Sequence, residues 1–330
     1  MRPTVLLVDA FPAERQNWRT LLENQKYRVY TTENAESAER LCVQLQPDLV
    51  LLFDDFPFVR GYELCRRLRQ DPRNQLIPVV LISSSPIPGE FEQGLQTGAV
   101  DYWGMTNSLW DALSRVQSLL RLKSYIDEQA KSVLLALVQS FETKYPSRSG
   151  HSKGFAEWTV RLGKSCGLSE EDLQDLQIAC ALHDIGKVAV PDSILLKPGP
   201  LDKEETAIVR RHPIVGEKIC APLKSLRRIL PVIRHHHERM DGSGYPDGLR
   251  GQEIPLQARI LQTADIYDAL VTDRPYRTAL SSEEALETLR QEAARGWLDL
   301  SLVSKFSSIC RSGDEYFPVR GQSMLVSYYT

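Results

Sequence analysis

The sequence lacks an apolar run long enough to cross a bilayer, and it has no excess of basic residues. The N-terminal apolar run, Val5–Val8, is far shorter than the about 20 residues that a membrane-spanning helix needs, and an acid follows it. Lysine and arginine number 40 against 43 acidic residues, for a net charge of -3. This balance favours neither a nucleic-acid polymer nor a membrane surface as partner.

Cysteines are also few. Six are spread along the chain, and no two are arranged as a CxxC pair. Widely spaced cysteines without a pairing motif are typical of reduced thiols, so we expect a cytoplasmic protein without disulfides.

The length of 330 residues predicts two domains, because one ordinary core rarely grows that large. In residues 1–124, short apolar runs alternate with amphipathic stretches of helix length. Nearly all-apolar strands are typical of an α/β doubly wound, flavodoxin-like parallel sheet that is covered on both faces. The predicted strands are Thr4–Asp9, Tyr27–Thr31, Asp48–Phe53, Pro78–Ser83 and Val100–Trp103.

A long helix is predicted next, since no proline or glycine occurs from Asn107 to Thr143. One apolar stripe follows it through Leu119, Leu122, Ile126, Val133 and Leu137. Two interpretations stay open. The helix either packs on the core of the first domain, or it continues as a linker over residues 125–150 and pairs with its copy in a homodimer. In residues 151–330, successive helical segments are separated by short loops marked by proline and glycine, and this pattern predicts an all-α domain.

All six histidines fall within residues 151–237, in four short motifs. A lone histidine is more often structural than a ligand, but here the motifs hold adjacent His-Asp and His-His pairs. Borderline metal ions prefer neutral imidazole with carboxylate, and an aspartate can bridge two ions. Further along, Asp265 and Asp268 share a face of a predicted helix, so that one can bind metal while the other supports it or meets substrate. The pattern predicts a metal centre. The histidine motifs are His151-Ser, His183-Asp184-Ile-Gly-Lys187, Arg211-His212-Pro and His235-His236-His237-Glu238.

The N-terminal half resembles the receiver domain of bacterial response regulators. The resemblance is carried by VLLVDAFP at 5–12, PDLVLL at 47–52, GYELCRRLR at 61–69, IPVVLIS at 77–83 and GAVDYW at 98–103. It implies an aspartate that accepts a phosphoryl group at the end of the third strand, together with an acidic pair, a hydroxyl and a lysine.

The receiver pattern has five functional positions when the acidic pair is counted as two, and this sequence departs from it at three of them. The phospho-acceptor position is Phe53, the acidic pair reads Asp9-Ala10, and Met105 stands at the lysine position, while Ser83 keeps the hydroxyl. Asp54 follows one residue later and should face the wrong side of the strand. We therefore expect a degenerate receiver that has no phospho-acceptor and acts by contact.

Residues from about 142 to 299 resemble the HD-GYP family of phosphodiesterases, a subgroup of the HD metal hydrolases. The most specific stretches are HDIGKVAVPDSILLKPGPLDKEE, HHHERMDGSGYPDGL and ARILQTADIYDALVTDRPYRTAL. The resemblance implies hydrolysis of cyclic di-GMP to the linear dinucleotide pGpG, and often on to GMP, with Fe or Mn ions. It places the metal ligands at His151, His183, Asp184, His212, His236, His237 and Asp265, with Asp184 bridging.

A third metal is not expected, because Ser147 stands where some family members have a glutamate ligand. His235 falls outside the ligand pattern and is set aside as helix surface or support. The expected cofactors are therefore two divalent ions.

The resemblance also implies roles for residues that meet substrate. Lys187 would contact a phosphate and stabilise its charge, and Asp268 would lie near the scissile phosphate and leaving group. Arg274 and Arg277 would grip the far phosphate or a guanine. Tyr245, in the GSGYP loop at 242–246, would stack on a guanine or hydrogen-bond a phosphate. Asp184, Lys187 and Asp268 are thus the predicted catalytic residues.

Two other functions remain open at this point. The chain could be a signalling scaffold that binds partners through the receiver half and the GYP loop, which in the family also contacts other cyclic di-GMP signalling proteins. It could also hydrolyse another cyclic dinucleotide. The complete set of ligands argues against a pure scaffold, which should have lost them as the receiver half lost its own site.

Overall fold

A computed structural model describes residues 2–54, 60–83, 88–104, 109–145, 154–273 and 278–311. Five positions discussed above lie outside the described residues: Met105, Ser147, His151, Arg274 and Arg277. The chain divides into two compact units, one made of residues 1–130 with 222–225 and the other of residues 131–221 with 226–330. The domain boundaries predicted at 124 and 150 stay predictions.

The first unit contains a parallel five-stranded sheet in the order β2-β1-β3-β4-β5. This is the flavodoxin-like order, so the predicted fold class is confirmed. The strands are β1 Thr4–Val8, β2 Arg28–Thr32, β3 Leu49–Phe53, β4 Val79–Ser83 and β5 Asp101–Gly104. The helices are α1 Pro12–Asn24, α2 Ala35–Leu45, α3 Gly61–Gln70, α4 Pro88–Gln96 and α5 Leu109–Lys144.

Alternate residues of each strand enter different cores, as the pleat of a strand requires. Leu7 and Phe53 pack in one core with Trp18 of α1, while Leu6 and Leu52 pack in another on the opposite face. Because both faces are covered, the three central strands β1, β3 and β4 are buried at every position and nearly all apolar, which makes them recognisable in the sequence.

The second unit is helical, and none of its described residues forms a strand. The predicted all-α class is therefore confirmed for the described part. Its helices are α6 Phe155–Ser165, α7 Glu170–Leu182, α8 Asp192–Leu195, α9 Lys203–Val209, α10 His212–Cys220, α11 Leu230–His235, α12 Leu256–Val271, α13 Ser282–Ala294 and α14 Leu300–Arg311. Short 3-10 turns cover Pro72–Asn74 in the first unit and Ile185–Ala189, Lys224–Ile229 and Gly251–Glu253 further along the chain.

The long helix α5 is continuous to Lys144, as its lack of proline and glycine predicts. At its end, Phe141 packs against a small core that includes Val190 and Ile194, and the Tyr145 hydroxyl donates to Asp192 at 2.6 Å. Among the described residues, no helix combines the length and apolarity that a membrane crossing requires.

Candidate metal centre

His183 and Asp184 follow directly after α7, which ends at Leu182. The turn after them must be close-packed, because a Cβ on Gly186 would lie 1.9 Å from the carbonyl oxygen of His212. Glycine at this position lets the start of α10 approach the turn. As a result, His212 Nε2 lies 3.2 Å from Asp184 Oδ1.

The carboxyl end of α11 positions two more of the predicted ligands, His236 and His237. His236 Nε2 lies 3.2 Å from His212 Nε2 and 4.0 Å from Asp184 Oδ1. Asp184, His212, His236 and His237 thus form a cluster whose potential ligand atoms all lie within 4.8 Å of one another. His183 is adjacent, with Nε2 3.6 Å from Asp184 Oδ2. The structure therefore brings together five of the seven predicted ligands.

Three of the imidazoles are oriented by the same hydrogen bond. Nδ1 of His183, His212 and His236 donates to the backbone carbonyl three residues earlier, on Cys180, Val209 and Ile233, at 2.9, 2.8 and 2.7 Å. A carbonyl can only accept, so Nδ1 carries the hydrogen and Nε2 keeps its lone pair. This is how proteins commonly fix metal-binding histidines.

The cluster fits a metal ion because its lone pairs point at each other. Two Nε2 lone pairs 3.2 Å apart, as in His212 and His236, repel unless a cation or proton lies between them. The separation also matches two neighbouring ligands that each lie about 2.1 Å from one ion. The donor set of imidazoles and a carboxylate suits a borderline divalent metal.

The electrostatics of the cluster also favour cation binding. Burial opposes ionisation of Asp184, but the Lys187 ammonium favours the charged carboxylate, and the pKa of this carboxyl lies well below its usual value. Burial, followed by repulsion from neighbouring imidazoles, lowers the pKa of His236 well below its usual value and that of His237 to about 3. Asp184 is therefore charged and both histidines are neutral at pH 7, the protonation states in which they bind metal.

Asp265 and Asp268 both lie on α12, as predicted. Asp265 is half-buried, and its negative charge partly offsets the lowering of the pKa of His237, so it acts electrostatically on the cluster. Asp268 is buried. Lys187 forms an ion pair with Asp184, which keeps its ammonium beside the cluster. The direct roles of these three residues toward metal and substrate stay predictions.

Tyr245 of the GYP loop stacks on a predicted ligand. Its ring lies 4.9 Å from the His237 ring with an angle of 29° between the planes, and the guanidinium of Arg210 lies 5.1 Å from its centre. Burial, and then the charge of Asp184, raises the pKa of Tyr245, so its phenol remains a hydrogen-bond donor. Arg210 received no role from the sequence, although it lies only two residues before His212.

A buried glutamate that the sequence did not reveal holds the residues that directly follow the GYP loop. Glu238 is fully buried and accepts hydrogen bonds from the backbone N–H groups of Asp247, Gly248 and Leu249 at 2.6, 3.0 and 3.1 Å. The loop returns so closely that a Cβ on Gly244 would lie 2.3 Å from the nitrogen of Arg239. Only the adjacency of Glu238 to the histidine run could have indicated its importance.

His235 lies outside the cluster of ligand atoms and supports the same loop. Its Nε2 is 3.0 Å from Asp247 Oδ2, and Arg234 grips that carboxylate with two hydrogen bonds of 2.6 and 2.8 Å. The interpretation of His235 as helix surface or support stays a prediction.

Fold and site together define a receiver domain joined to a helical metal-hydrolase domain. The family model for the HD domain matches residues 131–302, and that for the response regulator receiver domain matches residues 5–103. The chain belongs to the HD domain family, whose members are metal-dependent hydrolases, and it carries an N-terminal receiver domain.

Two known proteins match most of this chain, and a third matches about half of it. The cyclic di-GMP phosphodiesterase response regulator RpfG of Xanthomonas campestris pv. campestris is 32% identical, over 88% of this chain and 84% of its own. A cyclic di-GMP phosphodiesterase of Thermotoga maritima is 28% identical over 87% of this chain and 85% of its own. A 3'3'-cGAMP-specific phosphodiesterase of Vibrio cholerae is 36% identical over 55% of this chain and 40% of its own. The predicted resemblance to HD-GYP proteins with a receiver domain is confirmed.

Proposed function

We propose that this chain is a metal-dependent phosphodiesterase that hydrolyses cyclic di-GMP to the linear dinucleotide pGpG. The observation that carries the proposal is the cluster of Asp184, His212, His236 and His237, in which ligand atoms converge within 4.8 Å. Relatives named cyclic di-GMP phosphodiesterases match this chain over most of its length and support the choice of substrate.

Two divalent ions, Fe or Mn, are proposed for the centre. Asp184 would bridge them, and His151 and Asp265 would complete the ligand set with the four histidines near Asp184. When bound, the ions supply an activated water for attack on phosphorus and positive charge for the phosphate oxygens.

The remaining residues bind and orient the dinucleotide. The Lys187 ammonium, held beside Asp184, stabilises negative charge that develops on the phosphate. Asp268 lies near the leaving group, and Arg274 and Arg277 grip the distal part of the substrate. Tyr245 donates its phenolic hydrogen to a phosphate or presents its ring to a guanine.

The receiver half is proposed as a regulatory module that works by contact without phosphorylation. The GYP loop is proposed as a second contact surface, for other cyclic di-GMP signalling proteins. A second candidate substrate is 3'3'-cGAMP, which is favoured by relatives named as phosphodiesterases specific for it.

The test is a turnover assay on the full-length protein, purified anaerobically with Fe²⁺ or Mn²⁺ and supplied with cyclic di-GMP or 3'3'-cGAMP. We expect linear product from cyclic di-GMP, two bound ions per chain, and loss of both properties in His236→Ala. His235→Ala is the matched control, because this neighbouring histidine contacts Asp247 instead of the cluster. Two bound ions without turnover of either substrate would contradict the proposal.

A further inference from the structure

The side chain of Arg234 joins two helices of the candidate metal centre to the end of the GYP loop. Arg234 lies near the end of α11, two residues before His236. Its Nη1 donates to Glu217 Oε2 on α10, the helix that begins at His212, at 2.5 Å. Its Nε and Nη2 donate to Oδ2 and Oδ1 of Asp247 at 2.6 and 2.8 Å. Since Asp247 directly follows the GYP loop, one guanidinium connects that loop to both helices.

The contact between Arg234 and Asp247 is stronger than an ordinary surface ion pair. Isolated pairs contribute little, because solvent screens them and two side chains must be ordered. Here the carboxylate is held by two hydrogen bonds at once, which fixes its direction as well as its distance. Glu217 binds the third nitrogen and so keeps the guanidinium plane from turning. The hydrogen bonds from Arg234 lower the pKa of Asp247 to about 2, so the pair stays charged at any ordinary assay pH.

The main chain of Asp247 has an anchor of its own, and Tyr245 is close to it. The N–H of Asp247 donates to Glu238 Oε1 at 2.6 Å. Tyr245 precedes Asp247 by two residues, a span of at most about 7 Å along the chain. Its N–H donates to the carbonyl of His237 at 3.2 Å, and its ring lies 4.9 Å from the His237 ring. A shift of Asp247 would therefore move the tyrosine ring relative to the metal centre.

We propose that Arg234 is a positioning residue, which places Tyr245 beside the metal centre by holding Asp247. The proposal rests on the proposed function, in which Tyr245 meets the dinucleotide. Loss of Arg234 should misplace the ring and leave the metal ligands in position, since backbone carbonyls orient His212 and His236. Misplacing a group that contacts substrate by about 1 Å can slow a reaction about 100-fold.

Arg228 offers a matched control in the same unit. Its guanidinium engages Glu171 at 2.8 Å and Asp172 at 2.6 Å, and its side chain is 35% exposed, against 27% for Arg234. These carboxylates lie in the first turn of α7, at the opposite end of that helix from His183. Arg228→Gln thus removes a similar charge network and separates general stability from the position of the GYP loop.

Hydrogen–deuterium exchange of the full chain loaded with Mn²⁺ tests the proposal without any substrate. In Arg234→Gln and in Asp247→Asn, residues 238–250 should exchange at least about 10-fold faster than in the wild type, because the loop opens more often. Bound Mn²⁺ should stay at the wild-type amount. Arg228→Gln should leave the exchange of this segment unchanged. Unchanged exchange in both loop variants would overturn the proposal, and so would loss of the metal, which would assign Arg234 to the ligand cluster instead.

Kinetics test whether Arg234 acts through Tyr245. With cyclic di-GMP as substrate, Arg234→Gln should lower kcat about 10-fold and leave KM within about threefold of wild type. Arg234→Lys should recover only part of this loss, because an ammonium cannot form the two-pronged contact. Arg228→Gln should keep kcat within about twofold.

A Tyr245→Ala background completes the kinetic test. There, Arg234→Gln should lower kcat by less than about a further twofold, since the ring that it positions is already absent. A further 10-fold loss would overturn the proposal. A wild type without turnover would contradict the proposed function alone, and the exchange experiment would still decide whether Arg234 holds the loop.

Discussion

The acidic site of the receiver unit and the metal centre of the helical unit use buried polar groups in opposite ways. In the receiver, Asp9 Oδ1 accepts the N–H of Phe11 at 2.8 Å, and Asp54 Oδ1 accepts the N–H of Gly61 at 2.7 Å. These carboxylates hold the local backbone. In the metal centre, the backbone engages Nδ1 of the histidines, and Nε2 is directed at other ligands.

The position predicted for the phospho-acceptor adds to this contrast. Phe53, which stands at that position in the sequence, is buried in the core of the sheet, with its ring 6.1 Å from that of Trp18. Phe53 is therefore part of the packing, whereas Asp184 is buried beside the Lys187 ammonium, which keeps its carboxylate charged. In the receiver unit, the buried carboxylates are engaged by backbone N–H groups. In the metal centre, buried side chains direct their potential ligand atoms toward one another, and this arrangement is the one that can bind a metal ion.

The largest effect is expected from Asp184→Asn, which removes the charge proposed to bridge the two ions, with little change in side-chain shape. Turnover of cyclic di-GMP should fall at least about 10³-fold and bound metal should be lost, because the amide cannot replace a carboxylate between two cations. Metal analysis and a product assay measure both. Asp192→Asn is the control, since Asp192 contacts Tyr145 outside the cluster, and it should stay within about twofold of wild type. If Asp184→Asn retained both ions and most of its turnover, the charge of Asp184 would not be required for metal binding, and the proposed difference between the two units would be contradicted.

A smaller effect is expected from Glu238→Gln. An amide NH₂ in this buried site would face backbone N–H donors, at a cost of about 1 to 3 kcal/mol in the free energy of unfolding. The GYP loop should loosen, and kcat should fall about 10-fold as Tyr245 loses its position over His237.

Glu253→Gln is its matched control, because the exposed Glu253 accepts one backbone N–H, from Arg250 at 2.8 Å. Its cost should stay below about 0.5 kcal/mol. Denaturant unfolding and steady-state kinetics measure the pair. Equal stability of the two variants would show that the buried contacts of Glu238 do not hold the loop.

A still smaller effect is expected from Arg210→Ala. The guanidinium beside the Tyr245 ring adds positive charge where an anionic dinucleotide is proposed to bind. KM for cyclic di-GMP should rise about 5- to 10-fold with kcat nearly unchanged, since the charge contributes to binding more than to the chemical step. Arg211→Ala, at the exposed neighbouring position, should leave KM within about twofold of wild type. A fall in kcat with unchanged KM would instead indicate that Arg210 positions Tyr245 of the GYP loop.

The fold was predictable because its three central strands, β1, β3 and β4, are buried on both faces. Each predicted strand lies within two residues of an observed one, and their apolar runs need no knowledge of tertiary contacts. The long helix was equally visible from the absence of proline and glycine. In the second unit, capping contacts such as that between Ser169 and Asp172 determine where helices begin. The spacing of apolar residues does not indicate these ends as clearly as it indicates the strands.

The site was predictable in its residues but not in its arrangement. The motifs identified Asp184 and His212, yet only the close packing at Gly186 explains how they meet. Three consecutive histidines cannot all face one centre, and no periodicity in the sequence tells that His235 turns to Asp247. The burial of Glu238 was hidden for a similar reason, because its partners are backbone groups that any sequence possesses.

The smallest expected effect is none at all, when the full chain is incubated with acetyl phosphate and Mg²⁺. Asp54 is buried and engaged by Gly61, the position of the acceptor is Phe53, and no cation is expected at Met105 to balance the added charge. Intact-mass measurement should show no phosphoryl adduct, and turnover should stay within the error of the untreated enzyme. Asp54→Asn is the control, and its mass after treatment should be unchanged as well. Stoichiometric labelling at Asp54 or Asp55 would show that the receiver still accepts a phosphoryl group. The two units would then both carry a functional site, and the receiver could regulate the enzyme by phosphorylation.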